Sequence, residues 1–347
     1  VWPVIGQDRA VSLLEQSLRK DCLAHAYLFV GPAHVGKMTL ALGLAQALNC
    51  AAAERPCGRC PSCQKIASAK HADVQVVGLR DKGEAGETRP GVEISIDQVR
   101  QVQHAASLPP FEGRHKVFII DRAELLSTEA ANCLLKTLEE PVGKVLFILL
   151  TMNERLLPLT VVSRCQRVEL RPLAVGEVEA ALVRNWDVEP AKAKLLARLS
   201  HGCLGWAVAA ALDGGLLRQR AERLDELLDV IDADYDERFA GAAQWATQFA
   251  QSRDAIRERL DLWLDWWRDL LLVKAGASDN VVNIDRLDTL ISLADRFSLA
   301  QTKTFIDSIR AAGVQLRLNA NPQLVLEVLM LSMPETERRS AAGRAAV

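Results

Sequence analysis

From Asp8 to Leu18 the apolar residues Ala10, Leu13, Leu14 and Leu18 recur at helical spacing, which predicts an amphipathic helix. The next apolar run, Ala26–Val30 (AYLFV), contains no charge and reads as a short strand covered on both faces. A glycine-bearing turn follows, and residues 39–49 (TLALGLAQALN) are rich in helix formers, so the order strand, glycine loop, helix is predicted. Residues 80–91 (RDKGEAGETRPG) are charged and glycine-rich with almost nothing apolar, and read as an exposed loop. Beyond it, VEISI at 92–96 reads as a strand, DQVRQVQHAASL at 97–108 as a helix with Asp97 as its N-cap, and Lys116–Ile120 and Val145–Leu150 as buried strands. Strands alternating with helices specify a mainly parallel sheet with covered faces, so residues 1–170 are expected to form one α/β domain.

After Arg171-Pro172 the strand signals fade. Residues 171–213 read as a small domain of short helices, broken near Asp187–Pro190 and Gly202–Gly205; 216–334 read as a second, all-helical domain and 335–347 as a frayed tail. In the segment 256–272, Leu260, Trp263, Trp267 and Leu271 form one stripe, and Leu264, Trp266 and Leu270 add others. Such a helix must be buried on several sides, and core packing is favoured over base stacking because the interleaved charges are mostly acidic.

Composition narrows the classes. The 347 residues are 49% hydrophobic and 25% charged with a net charge of −2, an ordinary globular balance without the excess of a chain that coats phosphate backbones. Any nucleic-acid contact is therefore local or shared with partners. No apolar run approaches the roughly 20 residues that span a bilayer, and the opening Val-Trp-Pro-Val-Ile-Gly-Gln has no signal-peptide pattern, which makes a cytoplasmic location the expectation.

Four of the eight cysteines are clustered as Cys50-x6-Cys57-x2-Cys60-x2-Cys63, enough for one closed tetrahedral zinc site. Four protein ligands leave no open position for water, so the expected role is structural. His71 lies too far along the chain to belong to the compact run. Arg55, Arg59, Lys65 and Lys70 make the module basic, a solvated face or a surface for DNA or a partner.

Residues 31–39, Gly-Pro-Ala-His-Val-Gly-Lys-Met-Thr, fit G-x-x-x-x-G-K and then depart from it. The backbone N–H groups between Gly31 and Gly36, with the positive end of the following helix, suit phosphate oxygens, and Lys37 would reach the terminal phosphates. The usual magnesium-binding hydroxyl is replaced by Met38, a soft thioether, while Thr39 is turned about 100° away around the helix. Either the loop holds ATP with a poorly placed magnesium ion, or it is a vestigial turn; the sequence leaves both open. Asp121 ends the strand KVFII, where open α/β sheets bind ligands, and is placed to hold magnesium through water. Arg122 follows where ATP-hydrolysing relatives of this layout carry a glutamate base, and a guanidinium cannot take a proton. Glu124 is expected to be a surface carboxylate. Hydrolysis at this site should be very slow or absent.

HAYLFVGPAHVGK, KVFIIDRAELLSTEAANCLLKTLEEP, LPLTVVSRCQRVEL and NANPQLVLEVLML, in that order, resemble the AAA+ subunits of bacterial clamp loaders over almost the whole chain. The resemblance implies an AAA+ P-loop domain with a zinc-binding insertion, then a small helical lid and an all-α collar domain through which subunits assemble. It implies Arg164, in Ser163-Arg164-Cys165, as an arginine projecting into the ATP site of an adjoining subunit, and Thr151 as the sensor position, with Asn153 as the alternative. An ordinary surface arginine pairing with Glu169 or a helix end is the rival for Arg164. The hydrolysing gamma/tau members keep Ser/Thr after the loop lysine, Glu after the strand aspartate and an arginine in the lid. Here Met38, Arg122 and Gly205 stand instead, a pattern resembling the family's stator-like members. Implied partners are gamma/tau-like ATPases, a delta-like subunit, the sliding clamp and primer-template DNA. An active gamma-like motor and a zinc-dependent DNA-binding protein with a decayed nucleotide site are the rival readings.

Overall fold

The computed structural model describes residues 2–79, 93–140, 143–318 and 320–335. The charged loop at 80–91 and the tail beyond 335 lie outside the described residues. Helix α1 (Asp8–Arg19) leads into β1 (Ala26–Val30), and α2 (Lys37–Asn49) and α3 (Pro61–Ala67) precede β2 (Val74–Val77). Then come α4 (Ile96–Ser107), β3 (Lys116–Ile120), α5 (Thr128–Glu139), β4 (Val145–Thr151), the short α6 (Leu159–Val162) and β5 (Gln166–Glu169). Among the described residues, five strands form one parallel sheet in the order β2-β3-β4-β1-β5.

The alternation of side chains along each strand sorts the core into two layers. Leu28, Phe118, Ile120, Phe147 and Leu149 pack with Val99, Val102, Leu134 and Leu138 of α4 and α5 on one face. Tyr27, Phe29, Ile119, Ile148 and Leu150 pack with Leu14 of α1 and Leu40, Leu44 and Leu48 of α2 on the other. Both faces are covered, which is why the three central strands carry no polar stripe.

Two strands lay outside the sequence reading. β2 is an edge strand with Val76 exposed, and β5 (QRVE) buries only Val168, so neither has the apolar density that marks the central strands. Conversely, the strand expected at 92–96 is reduced, among its described residues, to an isolated bridge between Ile94 and Leu126. Nor is Asp97 the cap of α4. Ser95 is, with Gln98 closing a reciprocal capping box, and Asp97 sits in the first turn.

The helices α7 (Val175–Trp186), α8 (Pro190–Leu199) and α9 (Leu204–Leu212) follow the sheet, and α10 (Gly214–Asp232), α11 (Tyr235–Gln251), α12 (Arg253–Lys274), α13 (Leu287–Ala294), α14 (Leu299–Arg317) and α15 (Pro322–Ser332) are the remaining α-helices among the described residues. The chain divides into two compact units, one within Val1–Asp187 and Ser200–Val208, the other within Val188–Leu199 and Ala209–Val347. In the second unit Trp263, Trp266 and Trp267 are fully buried, and Trp267 packs edge-on against Phe305 at 4.7 Å between ring centres. The tryptophans are core, as expected. No helix among the described residues is long and apolar enough to cross a membrane.

Candidate functional site

The parallel sheet brings three sequence-predicted positions to the carboxyl ends of neighbouring strands: the glycine loop after β1, Asp121 after β3 and Thr151 at the end of β4. The loop is tied to β4 directly, since Gly31 N–H donates to the Thr151 carbonyl at 3.2 Å. Gly36 caps α2 in a left-handed conformation, φ 107°, which a side chain rarely adopts, and this turn aims the first N–H groups of α2 back toward the loop.

The ammonium of Lys37 donates to the carbonyls of Gly31 and Pro32, both at 2.6 Å, so it is bonded to its own loop. Burial lowers its pKa from the ordinary lysine value, and the nearby charges of Glu124, Asp121 and Cys203 pull it back only in part. Glu124 is thus no surface carboxylate. Both of its oxygens are shielded from solvent and have no hydrogen-bond partner among the described residues, within electrostatic reach of Lys37. The short helical turn after Asp121, with Arg122 left-handed at φ 54°, folds Glu124 inward.

Met38 packs against the apolar layer of α1 and α2, and Thr39 is exposed. Met38 offers only a soft thioether at the place beside the loop lysine where magnesium requires a hard oxygen. Thr151 is buried, and its hydroxyl oxygen accepts the N–H of Asn153 at 3.1 Å; the Asn153 side chain in turn accepts the N–H of Arg155. Both are engaged in shaping the strand end. Gly205 N–H donates to the His34 carbonyl at 2.9 Å, and a Cβ at Gly205 would come within 2.7 Å of that oxygen. A side chain at Gly205 would collide with that carbonyl, so glycine suits a place where backbone meets backbone. The phosphate cradle survives in outline, but magnesium does not fit its donor set, and no hydrolytic step follows from it.

Arg164 lies just past α6. Its Nη2 donates to Glu139 Oε1 at 2.5 Å and its Nη1 to the Thr160 carbonyl at 2.8 Å, leaving the side chain 33% exposed. Glu169, the partner first considered, is instead occupied by Arg167 and Arg171. Glu139 was missed; the signal was the acidic pair before the proline of KTLEEP, where a helix end attracts cations. On the same exposed stretch, Leu156 and Leu159 are open to solvent.

The four thiols converge as their spacing predicts: the sulfurs of Cys50, Cys57, Cys60 and Cys63 all lie within 4.8 Å of one another. Cys50 caps the end of α2, Cys60 the start of α3, and Cys63 sits in its first turn. The Cys50–Cys60 sulfur separation of 3.9 Å is close to the roughly 3.8 Å edge of a tetrahedron built on zinc–sulfur bonds of about 2.3 Å. Two backbone N–H groups, of Arg59 and Cys60, bring the Cys57 thiol down to about 6, whereas burial pushes Cys63 up to about 12. A divalent cation resolves that contrast by favouring the thiolate at every position. The four cysteines fit a structural zinc ion. His71 is committed elsewhere, with Ser62 Oγ at 3.1 Å from Nε2 and the Asp73 N–H donating to Nδ1. The module is joined to α2 through Gln46, which donates to the Cys63 carbonyl at 2.9 Å, and to the segment before β3 through a Lys65–Glu112 ion pair.

A parallel α/β sheet with a G-x-x-x-x-G-K loop after its first strand, an aspartate just past the third and a four-thiol insertion makes a P-loop-type α/β domain. Residues 6–174 match the family model described as DNA polymerase III, delta subunit, and residues 217–335 match the model of the delta subunit's C-terminal part. The chain is 29% identical over 330 residues to the DNA polymerase III subunit delta' of Bacillus subtilis, covering 95% of this chain and 96% of that protein. It is 26% identical to the subunit tau of the same organism, covering 98% of this chain but only 62% of tau. Among solved structures, a DNA polymerase III gamma subunit-related protein from Thermotoga maritima aligns with 92% of this chain and 98% of its own at a TM-score of 0.42 and 17% identity. The chain belongs to the clamp-loader subunits of DNA polymerase III.

Proposed function

We propose that the chain is a delta-prime-like stator of the clamp loader, which supplies Arg164 to the ATP site of an adjoining gamma/tau-like subunit and helps place the sliding clamp on primed DNA. A delta-like subunit, the clamp and the primer-template junction complete its surroundings in the cytoplasm, and the helices at 216–334 serve as the collar through which it assembles. The observation that carries this reading is the contrast between Arg164, partly exposed and held at two points, and a phosphate loop whose own lysine is bonded inward. Gly31, Gly36, Lys37, Thr39, Asp121 and Thr151 are then the remnant of a nucleotide site. Met38 in the magnesium position and Arg122 in the base position support its being weak or inert, because a lost general base alone costs about 10²–10⁴ in rate. Cys50, Cys57, Cys60 and Cys63 hold zinc and brace the insertion.

A guanidinium is always charged and presents a planar fork to phosphoryl oxygens, and an arginine acting across an interface contributes about 10³–10⁵ in turnover at the site it reaches. The test is a clamp loader reconstituted with Arg164→Ala. DNA-stimulated ATP turnover and clamp loading should both fall while assembly, followed by size exclusion, persists. Unchanged turnover and loading would refute the proposal, and ATP hydrolysis by the isolated chain at the rate of gamma/tau would favour the motor reading.

A further inference from the structure

Resting on the reading of Arg164 as a group that acts on a neighbour's nucleotide, we propose that Glu139 is its positioning residue. Glu139 is the last residue of α5, and Thr160, the other strong acceptor, lies in α6. Leu134 and Leu138 of α5 and Val161 of α6 are buried in the same apolar layer against the sheet. The two acceptors of the guanidinium are therefore fixed by one packed core, and the arginine inherits their rigidity.

The contacts account for part of the fork only. Nη1 donates to the Thr160 carbonyl and, at 3.5 Å, to Ser163 Oγ, while Nη2 donates once, to Glu139. Of the five N–H groups of a guanidinium, the second on Nη2 and the one on Nε have no partner among the described residues and remain for an incoming phosphoryl oxygen. A carboxylate beside the arginine adds nothing to the attraction for a triphosphate, since its charge has the wrong sign. What it supplies is orientation: a long side chain with several rotatable bonds is held in one geometry before the neighbour arrives, and the freedom lost on binding is correspondingly smaller. The negative end of α5 strengthens the same hold.

The test compares Glu139→Ala, Glu139→Gln, Arg164→Ala and the double variant in the assembled complex. Glu139→Ala should lower ATP turnover about tenfold with KM for ATP unchanged, and Glu139→Gln, which keeps an acceptor oxygen, should recover most of it. In the Arg164→Ala background, loss of Glu139 should have no further effect, an outcome that a merely structural role would not give. An additive loss in the double variant overturns the proposal, as does turnover by Glu139→Ala equal to or above the unmodified complex while Arg164→Ala is impaired. If Arg164→Ala itself turns over normally, the underlying reading of the arginine fails, and the positioning role with it.

Discussion

Replacing Asp73 with alanine should unlatch the segment that leads into β3. The buried carboxylate accepts three backbone N–H groups, from Phe111 at 2.7 Å, Glu112 at 2.8 Å and Gly113 at 2.7 Å. Hydrogen bonds to a charged acceptor contribute about 1.5–3 kcal/mol each. The three do not add fully, because the turn is exposed at Phe111 and its amides regain water once the carboxylate is gone. The expected cost of Asp73→Ala is about 3–5 kcal/mol. For a folding unit of this size that is roughly 6–20 °C in Tm. Asp73→Asn, with one acceptor oxygen left, should lose about half as much. The pH dependence has a definite sign. Burial alone would raise the carboxyl pKa, but the amides of Phe111, Glu112 and Gly113 outweigh it and hold it below the ordinary aspartate value. Its contribution is therefore complete above about pH 4 and is lost as the pH falls through the lower folded value. Thermal melts from pH 7 down to pH 2.5, with hydrogen exchange at residues 111–113, provide the measurement. An alanine variant within 1 kcal/mol of the unmodified protein, exchanging there at the same rate, would refute the reasoning.

Three further outcomes are expected. Purified protein should carry one zinc ion per chain by elemental analysis, and Cys57→Ser or a strong chelator should release it and expose α3 to proteolysis; full occupancy in the serine variant would remove the four-thiolate assignment. The isolated chain should show no ATPase above a protein-free control, and Arg122→Glu alone should not restore it while Met38 stays in place; turnover near that of a gamma/tau subunit would contradict the inward-bonded lysine. Asp269 is fully buried and accepts the N–H groups of Val282 and Asn283 and the Asn283 side-chain amide. Asp269→Ala should therefore destabilise the second unit by about 2–5 kcal/mol in urea melts, and a loss under 1 kcal/mol would show those bonds to be dispensable.

The sequence by itself determined the elements whose burial is complete. A central parallel strand is covered on both faces, so nearly every position is apolar, and AYLFV, KVFII and VLFILL declare themselves. The cysteine spacing likewise announces the four-thiol module, because three ligands in close turns and a fourth just past a helix suffice to build it. The edge strands β2 and β5 stayed hidden, since half-exposed backbone tolerates polar residues and only pairing with β3 and β1 makes them strands. Ser95 rather than Asp97 as the cap of α4 turned on which residue holds extended backbone before the first turn, a choice two adjacent polar residues do not disclose. The same limit governs charged side chains: whether Arg164 met Glu169 or Glu139, and whether Glu124 faced water or Lys37, depended on contacts between residues far apart along the chain. Local pattern records what each segment must bury, while the partner of a charge is fixed only when packing brings distant segments together.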